Sequence, residues 1–257
     1  MSTLTLAARD SSTMTRRQLK RLLRYPSMTI QLVITPVILL LLFVYVFGGT
    51  LGAGLGGGRD TYINYVLPGI LLMAVATAAT GTAVLVATDM TEGIIARFRT
   101  MRISRASVLT GHVVGSVIQQ LLGLAVVIGI ALAIGFRPNA TAAEWLAAAA
   151  MLTLFVVAIT WLSVALGLKS PTPEAASNAP MPLVFLPFLG SGFVPTDSMP
   201  TVLRWFAEYQ PFTPIMETVR GLLLGTPIGN SAAIAIAWWT GIAAVSYLWA
   251  KNTYNKA

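Results

Sequence analysis

The sequence predicts an all-α integral membrane protein with six transmembrane helices, an N-terminal interfacial helix, and a re-entrant helical hairpin between spans 5 and 6. Three observations lead there. The 257 residues are 56% hydrophobic and only 10% charged, whereas soluble domains carry about a quarter charged residues. The apolar residues fall in runs of about 20, the length that crosses a bilayer as a helix. The basic residues are sided: thirteen of the seventeen fall on one face of the six-span arrangement and four on the other. The chain also has no cysteine, which removes disulfides, thiolate chemistry and Cys-ligated metals from consideration.

The first element is the basic segment at 12–26, within SSTMTRRQLKRLLRYPS. Leu19, Leu22, Leu23 and Pro26 share one helical face, and Arg16, Arg17, Lys20, Arg21 and Arg24 cover the rest. That pattern predicts an interfacial helix with its apolar face in the headgroups and its basic face toward anionic lipid or a protein partner. Pro26 is expected to end it and turn the chain into the bilayer. A topology anchor and a docking surface account for the charges equally well.

The six spans are residues 28–48, 63–88, 108–135, 145–168, 177–194 and 230–250. The six basic residues before span 1 share a side with Arg97, Arg99, Arg102 and Arg105, with Lys169, and with Lys251 and Lys256. Arg59, Arg137, Arg204 and Arg220 take the other side. Positive residues stay inside, so both termini are expected in the cytoplasm and nucleic acid is not the partner. No Asp, Glu, Lys or Arg falls within a span; His112 is the one candidate acid or base there. This argues against ion-coupled carriers and against a membrane-embedded acid–base enzyme.

Between spans 1 and 2 lies GGTLGAGLGGGRDT, in which Gly52, Gly54 and Gly57 have the spacing G-x-G-x-x-G. A dinucleotide turn follows a strand, opens a helix and has an acid about 20 residues later. Here the glycines follow a membrane helix, and the residue at that distance is Thr77. The expectation is a flexible external hairpin. No G-x-x-x-x-G-K-[ST] run occurs either, so any driving ATP must be bound by another subunit.

Spans 2 and 3 are joined by a cytoplasmic loop at 89–105. Glu92 stands near its start, where a helix N-terminus favours an acid. Ile94, Ile95 and Phe98 form a small apolar face among four arginines. An exposed aliphatic and aromatic patch of this kind marks a docking helix.

Within the membrane, span 2 sets Gly69, Met73, Thr77, Thr80, Gly81, Val84 and Thr88 along one face, and span 3 sets His112, Ser116, Gln119 and Gly123 along another. Small and weakly polar residues serve helix packing and pathway lining alike. Span 5 combines Pro180, Pro182 and Pro187 with Phe185, Phe188 and Phe193. Prolines permit bending, and aromatics suit a greasy or cationic cargo as well as a packed core.

The segment 196–226, before span 6, is too polar to span and too apolar for a free loop. Val202, Leu203, Phe206 and Tyr209 share a face; Pro211 and Pro214 are expected to break the helix; Ile215, Met216, Val219, Leu222 and Leu223 make a second face. Glu217 and Arg220, three apart, are placed to pair. Two half-length helices dipping into the outer leaflet fit these lengths, provided protein covers their non-helical backbone.

The stretches FVPTDSMPTVLRWFAEYQPFTPIMETVRGLL, YINYVLPGILLM and DMTEGIIARFRTMRISR, with six spans and a basic first helix, resemble the membrane subunits of ABC-2 type exporters, in particular the daunorubicin/doxorubicin-resistance permease family. The resemblance covers nearly the whole chain, as a single ABC-2 type transmembrane domain at 1–257. It implies a multi-pass permease of the cell membrane, not an enzyme, that works with two ATP-binding cassette subunits and a second permease copy or paralogue. It leaves this chain without a cofactor and puts ATP and Mg in the partner subunits. It implies docking to those subunits through Arg16, Arg17, Arg21, Glu92, Gly93, Ile94, Arg97, Phe98 and Arg99. External closure would involve Phe206, Pro211, Pro214, Glu217 and Arg220, and Met73, Thr77, Thr80, Gln119, Phe185 and Phe188 are candidates for the cargo pathway. The implied cargo is a hydrophobic or amphipathic small molecule, with a lipid-linked glycan as the alternative. A membrane-integral enzyme or an immunity protein that blocks a toxin are the readings from other classes.

Overall fold

The computed structural model describes residues 26–92 and 105–256, all of whose regular elements are helical. The segment expected to be interfacial, with Arg16, Arg17 and Arg21, lies outside the described residues, as do Gly93, Ile94, Arg97, Phe98 and Arg99 and the side chain of His112.

Among the described residues five helices are long and apolar enough to cross a membrane: Leu32–Gly54, Arg59–Thr91, Val113–Ala133, Ala142–Lys169 and Ser231–Tyr254. The first is a composite. Helix α1 (Pro26–Leu41) carries Pro36 in its interior, passes into a π-helical stretch at Leu42–Phe47, and continues as α2 (Gly48–Gly54). The glycine-rich run is therefore mostly helix, a correction to the expected flexible hairpin. Only 55–58 turn, and the turn is tight. The Gly57 N–H donates to the Gly52 carbonyl at 3.0 Å, Gly56 sits at φ +76°, and any side chain on Gly52 would collide with the Gly58 backbone. The glycines serve close approach and a left-handed residue.

Helix α3 (Arg59–Thr91) is the centre of the bundle, packing against α1 and against α4 (Arg105–Ala133) and α5 (Ala142–Lys169). Its core side is Tyr62, Ile63, Leu67, Ile70 and Leu71, followed by Ala76, Ala79, Ala83 and Ala87, where small residues let the neighbouring helices close in. The helix runs past the predicted end of span 2 and takes in the buried Asp89. Glu92 closes it: its N–H donates to the Thr88 carbonyl at 2.9 Å. The acid thus ends one helix, and any helix it begins lies in 93–104, outside the described residues. Helix α5 starts on a capping box, Thr141 with Glu144, and ends at Lys169, a cation where the helix dipole favours one.

The predicted fifth span, 177–194, is not one helix. The segment is a series of short pieces: α6 (Pro173–Asn178), α7 (Met181–Phe185) and a 3-10 turn at Leu186–Leu189. Pro180, Pro182 and Pro187 each lack the N–H that would continue the ladder. The series still runs the length of α3. Ala176 packs with Ala83 and Ala87, while the Tyr62 hydroxyl donates to the Phe193 carbonyl at 3.2 Å. Tyr62 and Ala83 are about 32 Å apart along a helix.

Two half-length helices follow, α8 (Thr201–Tyr209) and α9 (Phe212–Leu224), and then α10 (Ser231–Lys256). Pro211 makes the break between α8 and α9, as expected. Pro214 does not break anything. It lies in the first turn of α9, where helix N–H groups have no intrahelical acceptor. Helix α1 with the π-helical stretch after it, and helix α10, are peripheral and leave Ile34, Ile38, Val46, Ile236, Val245 and Leu248 exposed. In water such a surface would be a liability; in lipid it is the normal exterior.

Candidate functional site

One end of the bundle gathers the α2–α3 turn, the α4–α5 connection and the α8–α9 pair. The Arg137 N–H donates to Asn64 Oδ1 at 3.2 Å, and the Asn139 N–H to the Leu223 carbonyl at 3.0 Å. Against this end rests the backbone at 186–193, a 3-10 turn and an irregular stretch in which the Pro187 carbonyl keeps a turn hydrogen bond from the Gly190 N–H.

Side chains from neighbouring elements supply further hydrogen bonds. Gln210 Nε2 donates to the Leu186 carbonyl at 3.1 Å, and the Ser191 N–H donates to Thr213 Oγ1 at 3.3 Å. Arg220 Nη2 donates to the Ser191 carbonyl at 2.5 Å, and Tyr62 holds the Phe193 carbonyl. On the far side of α9, Trp239 Nε1 donates to the Pro211 carbonyl at 3.2 Å, and Ser231 Oγ to Glu217 Oε2 at 3.0 Å. Free backbone in an apolar layer is tolerated only when protein satisfies it in this way.

Close packing completes the arrangement. A side chain on Gly69 of α3 would stand 2.6 Å from the Gly192 carbonyl oxygen, so the irregular segment lies directly on the helix backbone. Phe212, first in α9, packs edge-on against both Phe155 and Trp239, ring centroids 5.5 and 5.3 Å away, while those two rings meet each other at 4.5 Å. Along their helices those residues are roughly 20 Å from Ala142 and 12 Å from Ser231. The α8–α9 break therefore lies deep inside the bundle, not at its rim.

The closure residues proposed from sequence divide. Pro211, Pro214, Glu217 and Arg220 are buried or half-buried at this centre, but Phe206 is exposed on α8 beside Trp205 and Tyr209. Glu217 and Arg220 do not pair. Arg220 turns instead to backbone carbonyls and to the Tyr65 ring, and Glu217 turns to Ser231. The Ser191 carbonyl in the irregular segment and the Tyr65 carbonyl on α3 give the guanidinium fork two acceptors on different elements. The charge on α8 is Arg204, bridged to Asp197 at 2.6 Å and to Glu208 at 2.7 Å. The Glu208 hydrogen bond, then the Asp197 charge, raise the Arg204 pKa further.

The pathway candidates divide too. Met73 is core, 3% exposed, so it lines nothing in this conformation. Thr77 is exposed but its hydroxyl donates to the Met73 carbonyl at 2.9 Å; Thr80 and Gln119 are half-buried. Phe185 and Phe188 are exposed on the broken segment, which packs against α3, and Phe188 stacks on Phe193 at 4.5 Å. Sequence reasoning missed Tyr62, Gln210, Thr213 and Trp239, and it chose Gln119 where the buried amide is Gln120. The available signal was a polar side chain beside a proline in an apolar stretch, Gln210-Pro211.

Among the described residues no three His, Cys, Asp or Glu side chains gather to hold a metal. A family model described as ABC-2 type transporter matches residues 10–224. The chain belongs to the ABC-2 type transporter family. It is thus a multi-pass membrane permease. It is 28% identical over 222 residues to the daunorubicin resistance ABC transporter permease protein DrrB1 of Streptomyces coeruleorubidus, covering 86% of this chain and 77% of that one. It is 25% identical over 214 residues to the probable doxorubicin resistance ABC transporter permease protein DrrC of Mycobacterium tuberculosis, covering 83% of the permease and 78% of the relative.

Proposed function

We propose that this permease is the membrane half of an ATP-driven exporter that moves hydrophobic or amphipathic, drug-like molecules out of the cell. ATP and Mg are bound by two separate cassette subunits, and a second permease copy or paralogue completes the pathway. The observation that carries this reading is the match over most of the chain to permeases named for daunorubicin and doxorubicin resistance. The only glycine-rich run in the sequence, which would be the place for a phosphate, makes a tight turn between two helices.

The topology follows from the charges and the packing. Both termini lie in the cytoplasm and the permease sits in the cell membrane. The sixth crossing is the broken segment 173–194, supported by its run beside α3 over about the thickness of a bilayer core. Helices α8 and α9 form the external re-entrant pair. Support comes from the depth of Phe212 and from the side chains that satisfy the backbone at 186–193. Arg220, Glu217, Pro211 and Pro214 hold that pair, and Phe206 faces outward from it. Thr77, Thr80, Gln119, Phe185 and Phe188 remain the pathway candidates. The docking surface is the basic first helix with Arg16, Arg17 and Arg21, together with Glu92 and the stretch Gly93, Ile94, Arg97, Phe98 and Arg99.

The test is reconstitution in lipid vesicles with a P-loop subunit encoded beside this chain. The expected result is ATP hydrolysis by the complex that daunorubicin stimulates, drug movement that needs ATP, and no hydrolysis by the permease alone. Hydrolysis that neither daunorubicin nor doxorubicin changes, with no drug movement, removes the drug-like reading.

A further inference from the structure

Further along α5 from Phe155 and the α8–α9 break, the bundle holds a buried polar side chain that packing alone does not explain. Gln120 on α4 is only 4% exposed. Its Nε2 donates to Thr160 Oγ1 on α5 at 3.2 Å, and the Thr160 hydroxyl donates in turn to the Val156 carbonyl at 2.6 Å. In this arrangement the Thr160 hydroxyl accepts from the amide N–H while it donates to the Val156 carbonyl. Oε1 therefore points away from Thr160, and it has no hydrogen-bond partner.

Gln120 also lines a small crevice between α1, α3 and α4, together with Leu32, Val75, Gly123 and Val127 among others. The crevice has room for about one water molecule. Water is a poor occupant, because a buried water needs two to four polar partners and Gln120 is the only polar residue in the lining. A buried acceptor left unpaired is unfavourable. What suits the place is a single donor group whose molecule brings its own apolar body. The half-buried Leu32 side chain faces Gly123, where no side chain stands between α1 and α4.

We propose that Gln120 Oε1 is the hydrogen-bond acceptor of a subsite for amphipathic molecules bearing a hydroxyl or ammonium donor, reached from the membrane between α1 and α4. The subsite deepens the exporter reading and rests on it for the source of the ligand: cargo dissolved in the bilayer, selected for a donor at one end of an apolar body.

The experiment uses the full chain with 13C-labelled glutamine side chains in phosphatidylcholine vesicles, a lipid whose headgroup donates no hydrogen bond. The probes are 4-hexylphenol and its methyl ether, which share an apolar body and differ in the donor. The readout is the side-chain carbonyl stretch assigned to Gln120 by its loss in Gln120→Leu. The expected result is a saturable shift to lower frequency with the phenol and none with the ether. Gly123→Ala keeps Gln120 and adds only a methyl at ordinary contact distance, 3.5 Å from Leu32 Cδ2. It should narrow the crevice and weaken phenol binding about tenfold, a change of about 1.4 kcal/mol. Equal responses to phenol and ether overturn the proposal. So does a carbonyl already at its bonded frequency in ligand-free vesicles, since another donor then occupies the site. The infrared response does not depend on ATP. Loss of cargo-stimulated hydrolysis with the response intact rejects the exporter reading and leaves the acceptor site standing.

Discussion

Arg220 of α9 lies over the ring of Tyr65 on α3, its guanidinium carbon 3.9 Å from the ring centroid, and its Nε donates to the Tyr65 carbonyl at 3.2 Å. The same guanidinium reaches the Ser191 carbonyl. One side chain thus joins the central helix, the irregular segment and the half-length helix. Arg220→Lys keeps the charge but cannot hold three positions in one plane. Leaving the Ser191 carbonyl unpaired should cost about 1–3 kcal/mol. We expect Arg220→Lys and Arg220→Met both to lower the thermal midpoint in detergent, with Lys recovering less than half of the loss. Full recovery by Lys would mean that charge alone matters there.

Gly69 and Gly192 touch backbone to backbone, and this contact sets a second expectation. Gly69→Ala pushes a methyl to 2.6 Å from the Gly192 carbonyl oxygen, and backbone cannot rotate away as a side chain can. Destabilisation of about 1–3 kcal/mol is expected. Gly129→Ala, in α4, meets nothing within 4 Å and should be neutral or stabilising by up to about 1 kcal/mol. Equal unfolding midpoints for the two variants would show that the irregular segment does not rest on α3.

The orientation is open to a direct test, because the chain has no cysteine of its own. Gly56 is the wrong place for one, since its φ of +76° strains any side chain. Gly58 is exposed, with φ −130° and open space around it. Gly58→Cys should react with a membrane-impermeant maleimide added to intact cells. Reaction only after lysis would invert the topology.

The docking surface proposed above lies, apart from Glu92, in residues outside the described ones. Phe98 is the largest apolar group of the 93–104 stretch, and an aromatic at a partner interface is commonly worth about 2 kcal/mol or more. Phe98→Ala should therefore release the ATP-binding subunit or abolish cargo-stimulated hydrolysis while membrane insertion persists. Glu92→Ala should do less, since Glu92 holds the end of α3 through its backbone N–H, which alanine retains. Co-purification and stimulated turnover at equal expression decide it. Wild-type values for Phe98→Ala would move the docking surface to Arg16, Arg17 and Arg21.

Much of this molecule could be read directly from its residues. An apolar run of about 20 residues with no internal charge has to become a helix in lipid, because only a helix satisfies its own backbone there. That local rule located the long helices α3, α4, α5 and α10. Pro211 marked the break between α8 and α9 for an equally local reason, its missing N–H. Other features depended on contacts between distant residues. The sequence at 177–194 has the hydropathy of a span, and only the neighbours on α3 and α9 show how its broken backbone is satisfied. Glu217 and Arg220 have the spacing of a helical pair, yet the guanidinium turns to the Tyr65 carbonyl on α3 and the Ser191 carbonyl of the irregular segment, distant in sequence. Gln119 and Gln120 are adjacent amides on one helix. Which of them is buried against Thr160, with an acceptor left unpaired, was set by how α4 turns against α5, and helical periodicity within α4 carries no information about that rotation.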